Sequence, residues 1–400
     1  MLSWTKQFNI FCLLDTNFYS HTAQEYELLL AAGVSEAATS LREAENIASQ
    51  KSKWLFGHLS YELNHSLFSI PEKADPVGFA SCFFFVPEVI IAVKGNVLTI
   101  TADEPERIYN SIQKEKTTPQ VLQPDIKFHE SVSKAEYLKI IDALKQHIHR
   151  GECYEINFCI EFFAENVALD PYYTYKNLLG ISPNPFSAFY RNGDSYLMCA
   201  SPERFLAKRN NTIFSQPIKG TIRRDTHDSN HDHLLKQQLY ASEKDRAENV
   251  MIVDLVRNDL TKICKEKTVA VRKLFHIESY PQVHQMVSTI TGELQVGTNF
   301  EDIIAANFPM GSMTGAPKDR VMQLIDQYEP SARGIFSGSV GYIAPGGDFD
   351  FNVVIRSIMY NTAARHLSYK VGSGITFYSN AEQEWEECLL KAQAIKKVLS

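Results

Sequence analysis

Pro217-Ile218-Lys219-Gly220-Thr221 sets a lone lysine between a proline turn and a Gly-Thr pair, and Ser201-Pro202-Glu203-Arg204-Phe205 runs just upstream. Farther along, glutamates stand at Glu248 and, three residues apart, at Glu384 and Glu387. An amine able to attack or steer, a carboxyl able to give a proton and acids able to hold a cation together make a reactive set. Glu384 and Glu387 share one helix face at that spacing. Hard cations such as Mg2+ take carboxylate oxygens and keep waters that a substrate replaces. Lys391 follows one turn later, suited to a substrate carboxylate; the trio reads equally as a solvated acidic face with an ordinary i,i+4 pair. Glu248 sits just before the apolar run Val250 to Val256, so it needs a partner, either a metal or Arg246 or Lys244.

Other candidates are weaker. Gly311-Ser312-Met313-Thr314-Gly315-Ala316-Pro317-Lys318 leads into a helix but lacks the Gly-Lys-[Ser/Thr] of a phosphate loop. Its backbone N–H groups still suit an anion such as a carboxylate, while nucleotide binding is disfavoured. Arg356 offers a fixed fork for a carboxylate or forms a buried ion pair. Gly372-Ser373-Gly374 permits close backbone approach to a ligand or marks a bulge. His284, in an apolar neighbourhood, is a catalyst or a satisfied core residue. Cys153 mimics a nucleophile elbow without its second glycine, so no catalytic cysteine is assigned.

The elements that position these groups follow from periodicity and caps. Residues 35–50 read as a helix and 79–86, 89–93 and 97–101 as strands; Lys134 to Arg150 carries a helical stripe at Ile140, Ile141, Leu144 and Ile148. Strands follow at 155–163 and 196–199. Ser242 caps a helix running through Arg257, Pro317 opens one to about Tyr328, and Ser379 with Glu382 forms a capping box for the last. Between those two helices, 338–342, 349–359 and 366–377 read as strands joined by glycine-rich turns, which favours antiparallel pairing and an α+β fold. The Thr-, Pro-, Gln- and Lys-rich stretch 114–127 is the best linker candidate. It separates residues 1–120, expected to complete the same body, from a catalytic domain over 121–400.

Four hundred residues call for one large layered body or two coupled ones. The net charge of −7 disfavours nucleic acid as a partner. Seven scattered cysteines without a C-x-x-C pair argue against a disulfide scaffold or structural zinc. No signal pattern and no bilayer-length apolar run is present, so the expectation is a cytoplasmic protein without a membrane.

The order of these strings carries a resemblance. GECYEIN, SPERF, PIKGT, KDRAENVMIVDLVRNDL, YPQVHQMVSTITGEL, FPMGSMTGAPK, GSVGYIAPGGDFDFNVVIR, GSGI and EWEECLLKA, from about residue 130 to 398, resemble the chorismate-utilising enzymes, and among them the component I (large subunit) branch of aminodeoxychorismate synthase. The resemblance implies a sandwich of antiparallel sheets flanked by helices. It implies that Glu248, Glu384 and Glu387 hold Mg2+ against the ring carboxylate of chorismate, and that Glu203 is the general acid for the C4 hydroxyl. Gly220, Thr221, His284, Arg356, Gly372 and Lys391 match substrate-contacting positions, His284 being counted with the catalytic set. Lys219 marks the branch, where anthranilate synthases carry alanine; it is implied to attack C2, after which ammonia enters at C4. A neutral attacking lysine requires burial or cationic neighbours to lower its pKa.

The implied reaction makes 4-amino-4-deoxychorismate, on the way to p-aminobenzoate and folate, with ammonia from a separate glutamine amidotransferase subunit. Anthranilate synthase component I is the alternative, and a non-catalytic chorismate-binding homologue the alternative of another class. Glu155 stands where the branch has glutamine and isochorismate-forming enzymes have lysine. Phe336, Asn249 and Tyr378 replace a tyrosine, a histidine and an aspartate.

Overall fold

Strands whose residues face two cores should be apolar on both faces, and the central strands are. In Ile10–Asp15, Phe11 and Leu13 enter one core and Cys12 the other; in Leu28–Ala32, Leu30 and Ala32 part from Leu29 and Ala31 in the same way. The computed structural model, which describes residues 1–19, 24–68, 70–115 and 126–400, resolves the two cores as the two sides of one sheet.

That first sheet has antiparallel neighbours throughout, in the order Gly315–Ala316, Glu155–Ala164, His366–Thr376, Ser357–Asn361, Ser195–Ser201, Phe186–Asn192, Ile10–Asp15, Leu28–Ala32, Val89–Lys94 and Val97–Thr101. The second runs Ile218–Arg223, Val283–Glu293, Thr212–Gln216, Arg204–Arg209, Phe349–Asn352, Ser339–Ile343, Leu55–Leu59, Cys82–Val86 and Glu36–Ala38. One core lies between the sheets. The other fills the far side of the first sheet beneath helices Lys134–His149, Pro171–Ile181, Lys318–Tyr328 and Ala381–Leu399, through Ile141, Leu178, Val321, Trp385 and Cys388. The fold is α+β, a sandwich of antiparallel sheets flanked by helices. Strands from within residues 10–101 enter both sheets.

Most of the expected elements are present, with informative differences. Glu36–Ala38 pairs with Cys82–Val86, so the first long helix is only Leu41–Ala48. Helix Glu243–Thr261 begins at Ser242, whose side chain accepts from the Asp245 N–H. On the last helix the cap is Asn380, accepting from Glu382 and Gln383, while Ser379 Oγ is engaged by the Thr376 N–H. The strand expected over 349–359 is two strands in different sheets, separated at Arg356, which takes a left-handed φ of 53°. Most of the linker candidate, residues 116–125, lies outside the described residues.

Phe84 meets Phe300 and Phe351 edge-on at 5.7 and 6.0 Å in the inter-sheet core. Phe84→Ala should lower stability by about 3–5 kcal/mol, read from the denaturant midpoint; a loss under about 1 kcal/mol would mean that the two sheets close over the gap.

Candidate active site

Among the places where the chain passes between the two sheets, two carry a candidate residue. Between Ser195–Ser201 and Arg204–Arg209 lies Glu203; between Phe349–Asn352 and Ser357–Asn361 lies Arg356. A backbone leaving one ladder for another must find partners. Here the crossings supply each other's: Val353 N–H donates to Glu203 O at 3.0 Å and Ala200 N–H to Arg356 O at 3.1 Å.

Glu203 is 5% exposed. Burial pushes its carboxyl up to about 7, against hydrogen bonds from Ser312 and the Ile218 backbone and the pull of Lys219. A carboxyl half protonated near neutrality is fit to donate a proton.

Lys219 follows Pro217 at the edge of the second sheet, in an irregularity between Ile218 and Thr221 opposite Val283–Glu293. Gly220 makes the bend possible with φ 89°; a Cβ there would also stand 2.9 Å from Asp245 Cβ, on the helix that carries Glu248. The Lys219 ammonium reaches Glu155 Oε1 at 2.6 Å, both side chains being almost covered. Gly374 leaves room for this pair, since a Cβ there would lie 2.9 Å from both Glu155 Oε1 and Lys219 Nζ.

The expected lowering of the lysine is not found. Burial does oppose its charge, but Glu155, Glu248 and Glu203 together outweigh burial and raise it above the ordinary lysine value. The groups around the amine are acids rather than cations, and the free site stores it protonated.

Glu248, Glu384 and Glu387 come from two helices and are brought to one neighbourhood. Lys244 Nζ lies 3.9 Å from Glu248 Oε1 and 3.7 Å from Glu384 Oε1, and Glu387 also acts on Lys244. Burial raises Glu248 to about 7, with Lys219 opposing and Glu155 reinforcing. Its Oε1 is buried and accepts no hydrogen bond. Burial acts upward on Glu387 too, but Lys391, Lys244 and Lys219 bring it below the ordinary value. Among the described residues no three carboxylates stand at metal-ligand spacing. An orphaned buried oxygen beside further carboxylates nonetheless fits a hard divalent cation in chemistry.

The remaining candidates divide. Lys391 is tied to Glu387 at 2.7 Å and to Gly372 O at 2.8 Å. Gly372 is close-packed, since a Cβ would meet Asn157 Oδ1 and Cys159 Sγ at 2.6 Å. Arg356 is partly buried; desolvation lowers it while Glu387 draws it up, and its guanidinium donates no hydrogen bond to a described residue. Thr221 is exposed on the lysine's strand. His284 pairs across the strands with Ile222, and its ring is held by Ser279 Oγ at 2.9 Å and Asp232 Oδ1 at 3.1 Å. Both ring nitrogens are satisfied, which matches the core-residue alternative.

Sequence reasoning passed over Lys244 as a bridge and Glu155 as the lysine's partner. The first stood four residues from Glu248 as a simple pair. The second was visible only as an unusual residue at its position. Among the departures, Asn249 is buried against Ser288, Phe336 is buried and Tyr378 is exposed.

A fold of two antiparallel sheets, with Glu203 at a crossing, Lys219 on an edge strand and carboxylates on two flanking helices, defines the class. The chain belongs to the chorismate binding enzyme family, whose pattern it matches over residues 9–397. It is 42% identical over 270 residues to a probable aminodeoxychorismate synthase, chloroplastic, of Oryza sativa subsp. japonica, covering 67% of this chain and 30% of that protein. It is 36% identical over 263 residues to aminodeoxychorismate synthase component 1 of Bacillus subtilis, covering 66% and 55%. The matched segment thus spans between about a third and just over half of these relatives' length. In fold it resembles anthranilate synthase component I from Streptococcus pneumoniae, with a TM-score of 0.81 at 22% identity over 96% of this chain and 94% of that one. Among the described residues no helix is long and apolar enough to cross a membrane.

Replacing Glu155 by glutamine removes the largest charge holding the Lys219 proton. In Glu155→Gln the lysine should react with an amine-directed reagent at lower pH than in the wild type, followed by peptide mass spectrometry; an unshifted profile would mean that Glu155 does not set the amine's charge.

Proposed function

We propose that this protein aminates chorismate at C4, giving 4-amino-4-deoxychorismate, with Mg2+ and with ammonia delivered by a glutamine amidotransferase partner. The observation that carries the reading is the contact set of Lys219, held by Glu155 and acted on by Glu203 and Glu248. A binder of chorismate has no use for a buried amine beside a carboxyl poised near neutrality. Relatives named aminodeoxychorismate synthase, one of them as a component 1, support the reaction and a partner subunit.

In this reading Arg356, with no hydrogen bond to another described residue, is the fork for a substrate carboxylate. Lys219 gives up a proton, with Glu155 the acceptor in contact, and its lone pair forms a bond to C2. Both ring double bonds shift, giving C1=C6 and C4=C5, and the C4–O bond breaks, the oxygen leaving as water with the Glu203 proton. Ammonia then bonds to C4, and the lysine nitrogen leaves C2 with its electron pair. Glu248, Glu384 and Glu387 would hold the cation, with the Lys244 side chain moving off. Bound there, Mg2+ supplies charge that polarises the ring carboxylate. A cytosolic setting is part of this proposal.

Purified protein given chorismate, Mg2+ and ammonium at mildly alkaline pH should form aminodeoxychorismate, identified by mass, and Lys219→Ala should form far less. Anthranilate as the product would instead put the chain with enzymes that aminate C2, and tight Mg2+-dependent binding without turnover would make it a binder. Glu203→Gln should cut the rate by about 10²–10⁴-fold with substrate affinity kept. With Glu203 near 7, the acid-dependent step should weaken as pH rises through that value, because the proton it donates is then gone.

Glu248→Gln should weaken Mg2+ binding in calorimetry by at least about tenfold. Unaltered Mg2+ affinity would remove Glu248 from the cation site.

A further inference from the structure

Amination by ammonia leaves a proton debt at Glu203. The C4 oxygen departs as water carrying the Glu203 proton, and the incoming nitrogen keeps its own three hydrogens as an ammonium. Lys219 attacks and leaves as the same neutral amine, so it returns no proton. Glu203 therefore ends each cycle as a carboxylate, buried, with substrate on its reactive side.

A cavity adjoins Glu203, lined by none of Lys219, Glu155, Glu248, Glu384 or Glu387. Its polar wall includes Glu203, Ser312, Asn307 and Asp259, with room and partners for a water. Ser312 lines the cavity beside Glu203 and acts on its carboxyl, favouring the charged form. Asp259, 4% exposed, accepts from Lys318 Nζ at 2.6 Å and from Lys262 Nζ at 2.9 Å. Lys318 also donates to Asn307 O at 3.3 Å, and the Lys262 side chain is 54% exposed to solvent.

We propose that this cavity is the proton inlet of the general acid: water held between Ser312 and the Asp259–Lys318 pair relays protons from the solvent-facing Lys262 side to Glu203. The inlet rests on the amination reading. Burial lowers Lys318, which makes its ammonium a readier donor, although Asp259 opposes that effect. Lys219 and the Ile218 backbone also act on Glu203, and neither of them lines the cavity. Ser312 and Asp259 are positioning residues in this scheme, acting through Glu203.

A purely structural role for the Asp259–Lys318 pair predicts something different, and kinetics separates the two. The first turnover spends the proton already on Glu203; only later turnovers need resupply. Wild type, Ser312→Ala, Ser312→Thr and Asp259→Asn would be mixed with chorismate, Mg2+ and ammonium, with enzyme in excess and then at steady state, in H2O and D2O. Product would be followed by quenched mass spectrometry. In Ser312→Ala and Asp259→Asn the steady-state rate should fall about tenfold more than the single-turnover rate, with a larger solvent isotope effect. Ser312→Thr, which keeps the hydroxyl, should restore the wild-type ratio. Equal falls in both regimes, or no fall in either, would overturn the inlet, and Ser312→Ala decides if Asp259→Asn does not fold. A wild type that yields no aminated product would defeat the amination reading and the inlet with it. A wild type that aminates while the ratio stays fixed defeats the inlet alone.

Discussion

Two backbone hydrogen bonds lace together two of the places where the chain changes sheets, and the positions of Glu203 and Arg356 in the candidate site hang on them. Glu203 O and Arg356 O each accept an N–H from the opposite crossing. A segment between ladders has unsatisfied donors and acceptors, so one crossing alone would be costly to bury. Paired, they close the sandwich at one end and bring together residues about 150 positions apart in sequence. Ser201 Oγ, accepting from the Glu203 N–H at 3.2 Å, secures the same corner.

Around that corner the electrostatics are set by competition between burial and neighbours. Burial alone would neutralise Lys219, Glu203 and Glu248 alike. It prevails for the two acids, which are pushed towards neutrality. It loses for the lysine, because Glu155 lies against the amine and further acids stand behind it. Strands and helices, not loops, carry Glu155, Lys219, Glu248, Glu384 and Glu387, which keeps these distances fixed.

Much of this was legible in the sequence, and the exceptions have physical reasons. Helix caps and apolar stripes are local signals, so Ser242 and the stripe along Lys134–His149 lead directly to real elements. Asn380 rather than Ser379 caps the last helix because the Thr376 N–H already claims Ser379, a contact from outside the helix. The apolar run from Phe349 to Met359 reads as one strand since both halves are buried; nothing local announces that they belong to different sheets. The lysine's charge was misjudged for a similar reason. Its neighbours lie 64 residues before it and across a helix, and only the assembled sheets bring them within reach.

Arg356 gives the fold a burden with no return in folding itself. It is a β-sheet crossing residue in a left-handed conformation, which any side chain beyond glycine adopts at a cost of about 1 kcal/mol or more. It also desolvates a guanidinium that no described residue engages by a hydrogen bond. Were stability alone under selection, glycine would be the better residue here. On the proposed reading, an arginine at such a place trades robustness for recognition of a substrate carboxylate, and mutational drift in a lineage that no longer used the ligand would be expected to erase it early.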